Sequence, residues 1–93
     1  MVDIDTDPIC TEALRLAENG GGDDAVARLV ELAGTDREAL VAARNAFARR
    51  LHGHADDYAA TAALRLLNRA LAAYGWHDPY DWRSRLGNRL LKP

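Results

Sequence analysis

Apolar residues recur every three or four positions in four stretches of this chain, which is the period of amphipathic helices. No stretch alternates in the manner of a strand with β-branched or aromatic residues, and the 18 alanines and 13 leucines are strong helix formers. The pattern predicts an all-α fold, a small bundle of four to five helices. The longest stripe predicts a central fourth helix and contains Ala60, Ala63, Leu64, Leu66, Leu67, Ala70, Leu71 and Tyr74.

Helix boundaries follow from capping residues. Asp7-Pro8 is a typical N-cap followed by proline at the first helical position, and the glycines at 20–22 end that helix. Thr35 and Glu38 have the spacing of a capping box at the start of the third helix. The fourth helix is expected from about Asp56, as its N-cap, to Tyr74, and Gly75 ends it.

The chain is predicted to be a single helical domain over residues 1–93, as expected for this length. We divide it into an acidic N-terminal arm (residues 1–6), a four-helix core (7–75) and an aromatic and basic C-terminal segment (76–93). Asp78-Pro79 repeats the first helix-start signal and predicts a fifth helix in that segment.

Charge is distributed unevenly along the chain, although its net charge is only −2. The first 24 residues carry seven acids and one base, whereas the stretch from Arg65 to the end carries six bases and two acids. Arg65 and Arg69 are like charges one helical turn apart and are expected to face something acidic. Phosphate, a partner protein and the chain's own acidic N-terminal part are the alternatives. The abundance of arginine over lysine is typical of an actinobacterial-like composition.

The sequence favours a cytoplasmic setting. Its single cysteine, Cys10, cannot form an internal disulfide, and the acidic start lacks the basic and apolar regions of a signal peptide. No apolar run approaches the length of a membrane span. Cys10 is close to a helix N-terminus, which can lower a thiol pKa, but packing as a small apolar residue is the stronger expectation. Since no nucleophile has an evident base, we predict no enzymatic activity.

The stretch LHGHADDY, from Leu51 to Tyr58, is the one candidate metal site. It resembles the HxHxDH motif of metallo-β-lactamase-fold hydrolases, with Asp57 at the position of the last histidine. That family places the motif after a strand and uses further ligands, whereas this chain has no predicted strand and offers only His77 beyond the motif. We therefore assign no family and no cofactor. A helix end and the next N-cap account for the same residues. The candidate ligands of this alternative are His52, His54 and Asp56.

The C-terminal segment has the composition of a contact surface. Four of the chain's six aromatic residues fall between Tyr74 and Trp82, and arginines follow. Tryptophan, tyrosine and arginine are the residue types enriched at interface hot spots, although burial in the core is the alternative for Trp76 and Trp82. The predicted partner-binding residues are Trp82, Arg83, Arg85 and Arg89, with Arg65 and Arg69 from the fourth helix.

From these patterns we predict a small non-catalytic protein–protein interaction module, a regulator or adaptor. Its partner is another protein or a second copy, since homo-oligomers suit a core this small. A nucleic-acid- or ribosome-associated factor using the same arginines is the first alternative, which the pI near 5.8 disfavours. A metal-binding protein is the second alternative, and no membrane association is expected.

Overall fold

The computed structural model describes residues 2–75, and this part of the chain forms four α-helices and no strand. α1 spans Pro8–Glu18, α2 Asp23–Ala33, α3 Arg37–Gly53 and α4 Tyr58–Ala72. Over these residues the predicted all-α class and the four core helices are confirmed. The helix predicted after Asp78-Pro79 lies outside the described residues.

α4 is the central helix, as the length of its apolar stripe predicted. It contacts each of the other three helices, and six of its residues are buried. Three of these are alanines, whose small side chains let neighbouring helices approach closely. The buried residues of α4 are Ala60, Ala63, Leu66, Leu67, Ala70 and Leu71.

The other helices complete one core around α4. Phe47 of α3 is its largest fully buried side chain, and each fully buried leucine or phenylalanine contributes about 1.5–3 kcal/mol. Several residues of the predicted stripes, such as Leu16, Val26 and Leu51, are only half-buried at the margin. The buried apolar residues outside α4 are Ile9, Cys10, Ala13, Ala25, Leu29, Leu40, Ala43, Ala46 and Phe47.

The predicted cap of α1 is confirmed, but that of α3 is wrong. The Asp7 carboxylate accepts a hydrogen bond of 3.0 Å from the Cys10 N–H. In α3 the N-cap is Asp36, whose Oδ1 accepts from the Ala39 N–H at 3.2 Å. Aspartate is at least as good a cap as threonine, so the helix begins one residue later than the capping box of Thr35 and Glu38 required.

The predicted start of α4 is also shifted by one residue. Asp57, not Asp56, is the N-cap, and its Oδ1 accepts from the Ala60 N–H at 3.0 Å. Asp57 gains a second bond from Arg50 of α3, which Asp56 does not make. This additional partner favours Asp57 as the cap. At its other end the helix finishes at Ala72, and Tyr74 and Gly75 lie in the turn that follows.

α2 is held at both ends by side chains of α4 and of the turn that follows it. Arg69 donates to the Gly21 carbonyl at 2.8 Å and to Asp23 Oδ1 at 2.7 Å, at the start of α2. The Tyr74 hydroxyl donates to the carbonyl of Gly34, immediately after α2, at 2.8 Å. Gly34 has a φ of 64°, a left-handed conformation that suits glycine. These bonds fix α2 across the last turns of α4.

Within residues 2–75, none of the helices is both long enough and apolar enough to cross a membrane.

Candidate functional site

The structure describes two of the six predicted partner-binding residues. Arg65 and Arg69 lie one turn apart on α4, and both are exposed. Trp82, Arg83, Arg85 and Arg89 lie outside the described residues, so their prediction stays a prediction.

Arg69 faces the acidic N-terminal part of its own chain. Its guanidinium bridges the Gly21 carbonyl and the Asp23 carboxylate, and its side chain remains 48% exposed. Of the three partners expected from the sequence, this is the intramolecular one. Because Asp23 is fully exposed, the pair adds little stability and mainly orients the arginine.

Arg65 differs from its neighbour. It is exposed on α4 and forms no ion pair with any residue of the part that the structure describes. It is therefore the arginine of the predicted surface whose charge is not balanced locally.

Four further arginines of the described residues are paired with nearby acids, whereas Arg49, like Arg65, is not. Within residues 2–75, Arg15, Arg28 and Arg37 each pair with a glutamate on the same helix, and these pairs are exposed. Arg50 pairs with Asp57 across the α3–α4 turn, with 2.6 Å between Nε and Oδ2. The ion pairs are Arg15–Glu12, Arg28–Glu31, Arg37–Glu38 and Arg50–Asp57.

The candidate metal ligands lie at the α3–α4 turn. His52 is in the last turn of α3, His54 is its C-cap, and both are exposed, as is Asp56. The His54 N–H donates to the Arg50 carbonyl at 2.9 Å and closes the helix end. In the part of the chain that the structure describes, no three His, Cys, Asp or Glu side chains are grouped as metal ligands.

Asp57 accepts hydrogen bonds from both helices that meet at this turn. Its pKa is lowered from 3.8, first by the hydrogen bond from the Ala60 backbone and then by the hydrogen bond from Arg50. Both bonds favour the ionised form. The carboxylate therefore serves as a helix cap that also links α3 to α4.

A groove of about 650 Å³ separates the N-terminal arm from the end of α3. One wall is the arm, where Asp3 and Asp5 are exposed and Val2 and Ile4 pack against the core. The other wall is formed by Ala46, Arg49, Arg50, Gly53 and His54. Neither arm aspartate forms an ion pair with a residue in the range 2–75, so no salt bridge within this range joins the acids of the arm to the arginines of α3.

Cys10 is a core residue and lacks the features of a nucleophile. It is fully buried, and burial together with Asp7 and Asp3 raises the pKa of its thiol to about 12. The possibility of a lowered thiol pKa is therefore wrong, because burial and the nearby Asp7 and Asp3 carboxylates all favour the neutral thiol.

One buried charged residue was not singled out from the sequence. Arg44 is only 7% exposed, and it donates to Asn68 Oδ1 at 3.3 Å and to Asn45 Oδ1 at 2.9 Å. The spacing from Leu40 and Phe47 already places Arg44 on the core side of α3. These hydrogen bonds to residues of α3 and α4 offset part of the desolvation cost of burying the guanidinium.

The chain matches no known protein-family model, and no curated protein or solved structure is significantly similar to it.

Proposed function

We propose that this protein is a non-catalytic protein–protein interaction module, a regulator or adaptor, that binds through its C-terminal segment and Arg65. The observation that carries the proposal is the contrast between Arg65, whose charge has no partner among residues 2–75, and the arginines that are paired with local acids. The C-terminal Trp82, Arg83, Arg85 and Arg89 follow in sequence and are of the types that dominate interface hot spots.

The same contrast favours protein over nucleic acid as the partner. Phosphate binding draws on several arginines whose charge is available to the backbone. Here Arg15, Arg28, Arg37 and Arg50 are each paired with a carboxylate, so a phosphate would have to compete with that group. Arg65, whose charge is not balanced locally, and the tryptophans that follow it in the sequence suit a protein partner that offers apolar pockets and a few carboxylates.

Site-specific photo-crosslinking in the host cell tests the proposal. A photoreactive amino acid replaces Trp82 in one variant and Arg65 in another. Thr11 and Ala27, which are exposed on α1 and α2, provide matched control positions. We expect a discrete protein adduct from positions 82 and 65 that the controls do not give.

The outcomes separate the candidate functions. Adducts that contain RNA or DNA would replace the proposal with the nucleic-acid alternative. Equal labelling from all four positions, or none from 82 and 65, would contradict a specific surface that includes these two residues.

A further inference from the structure

We propose that the groove between the N-terminal arm and α3 receives the basic C-terminal segment of a second copy of this chain. The inference rests on the proposed function, because it names the partner of the same C-terminal segment. It begins from the two exposed aspartates of the arm, Asp3 and Asp5, which are in no ion pair within residues 2–75.

The lining of the groove contains apolar residues as well as the two aspartates of the arm. Val2 and Ile4 are half-buried against the core, and Ala46 of α3 is buried at 4% exposure. Asp3 is held in place because its Oδ1 accepts from the Asp5 N–H at 3.0 Å and its carbonyl accepts from the Thr6 and Asp7 N–H groups. The arm is thus a structured wall of the groove, and a volume of about 650 Å³ lies within the range of binding clefts.

The C-terminal segment has the complementary composition. Its run RSRLGNRLLK contains both cations and leucines. The cations can pair with the arm aspartates, and the leucines can cover the apolar residues of the groove. The basic residues are Arg83, Arg85, Arg89 and Lys92, and the leucines are Leu86, Leu90 and Leu91.

The arginines of α3 that line the groove are also compatible with the C-terminal segment as its occupant. Arg50 is already neutralised by Asp57, which leaves Arg49 as the groove arginine without an ion pair in the described part of the chain. The incoming segment carries two acids, Asp78 and Asp81, before its first arginine. A segment with acids followed by bases therefore matches a groove with one free arginine and two free aspartates.

A contact between two different surfaces of identical chains is heterologous, and it either closes into a ring or continues from copy to copy. Its charges are exposed, so the association should weaken with salt as the Debye length falls from about 10 Å at 0.1 M to about 3 Å at 1 M.

Sedimentation velocity of charge-reversed variants tests the inference. One variant carries Asp3→Lys and Asp5→Lys, and a second carries Arg83→Glu, Arg85→Glu and Arg89→Glu. The control carries Glu18→Lys and Asp24→Lys, which makes the same change of charge at exposed positions outside the groove. Circular dichroism checks that each variant is helical.

We expect the wild type and the control to self-associate in low salt, and each groove or segment variant alone to bind about tenfold more weakly. An equimolar mixture of the two variants should regain the assembly, because each supplies the charge that the other lacks. Wild type that is monomeric at every concentration would overturn the inference, and so would a control as weak as the arm variant or a mixture that stays dissociated. If Trp82 still gives a discrete protein adduct in those cases, only the identity of the partner is wrong and the proposed function stands.

Discussion

At the scale of single residues, the environment of a side chain decides its chemistry more than its position in the sequence does. Cys10 and Asp57 both lie near helix N-termini, yet their pKa values move in opposite senses. Cys10 is buried beside two carboxylates, which favours the neutral thiol. Asp57 accepts hydrogen bonds from Ala60 and Arg50, which favour the charged carboxylate.

Cys10 should be unreactive in the folded protein. Because its pKa is about 12, the native thiol stays protonated between pH 7 and 9, where an unfolded thiol begins to ionise. We expect a chromogenic disulfide reagent to label the native protein very slowly and the denatured protein at once. Rapid native labelling that rises with pH over this range would contradict the burial described here.

The same raised pKa makes stability depend on pH. The protonated thiol is favoured by folding, so its contribution is complete below about 9 and declines as the pH rises toward 12. Urea titrations of the wild type and of Cys10→Ala should show a steeper loss of stability above pH 9 in the wild type. Parallel pH profiles would exclude a raised thiol pKa.

The Asp57 cap gives a second pH dependence, of opposite sign. A lowered pKa stabilises the fold above the ordinary value of 3.8, and this contribution disappears as the pH falls below it. Asp57→Ala should lower the melting temperature at pH 7 more than Asp56→Ala, and the difference should vanish in acid. Equal effects of the two substitutions at pH 7 would place the cap at Asp56 instead.

At the scale of helices, apolar periodicity was sufficient to predict that the four core elements are helices and in what order they follow. It did not predict the exact residue at which α3 and α4 begin. The stripe of α4 predicted both its existence and its central place, because a helix with alanine and leucine on several sides must contact several neighbours. The starts of α3 and α4 each lie one residue later than predicted. Adjacent residues at both starts can cap a helix, and tertiary contacts such as Arg50 with Asp57 are invisible in a local pattern.

The N-cap of α3 can be tested by paired substitutions. Asp36→Ala removes the acceptor of the Ala39 N–H and should lower the free energy of unfolding by about 1 kcal/mol. Thr35→Ala should change it by less than about 0.5 kcal/mol, as a surface substitution does. Chemical denaturation of both variants provides the measurement. A larger loss of unfolding free energy for Thr35→Ala than for Asp36→Ala would show that Thr35 caps the helix, as the capping box predicted.

At the scale of the whole molecule, long-range side-chain contacts position the helices, and periodicity alone cannot predict them. Arg69 of α4 and Tyr74 of the turn after it reach Gly21 and Gly34, which are more than 35 residues away in the chain. For the candidate site, the sequence predicted that Arg69 requires an acidic neighbour but not that Asp23 provides it. The groove was not predicted because the arm had no helical or strand period to place it.

The Tyr74 contact is expected to be structural. Tyr74→Phe keeps the ring and removes only the hydroxyl that donates to Gly34, so the loss should be about 0.5–1.5 kcal/mol. Hydrogen exchange in the α2–α3 turn should speed up in this variant. Unchanged stability and exchange would show that α2 does not depend on this bond.

The proposed function is binding to protein, and the proposed partner is another copy of the same chain. Native mass spectrometry of the full chain, over a dilution series and with or without added zinc, measures copy number and bound metal together. Self-association of this kind predicts metal-free masses at multiples of 10.2 kDa, which decrease to the monomer on dilution and do not change when zinc is added. A monomer at every concentration, or a stoichiometric zinc adduct that His54→Ala abolishes, would contradict it.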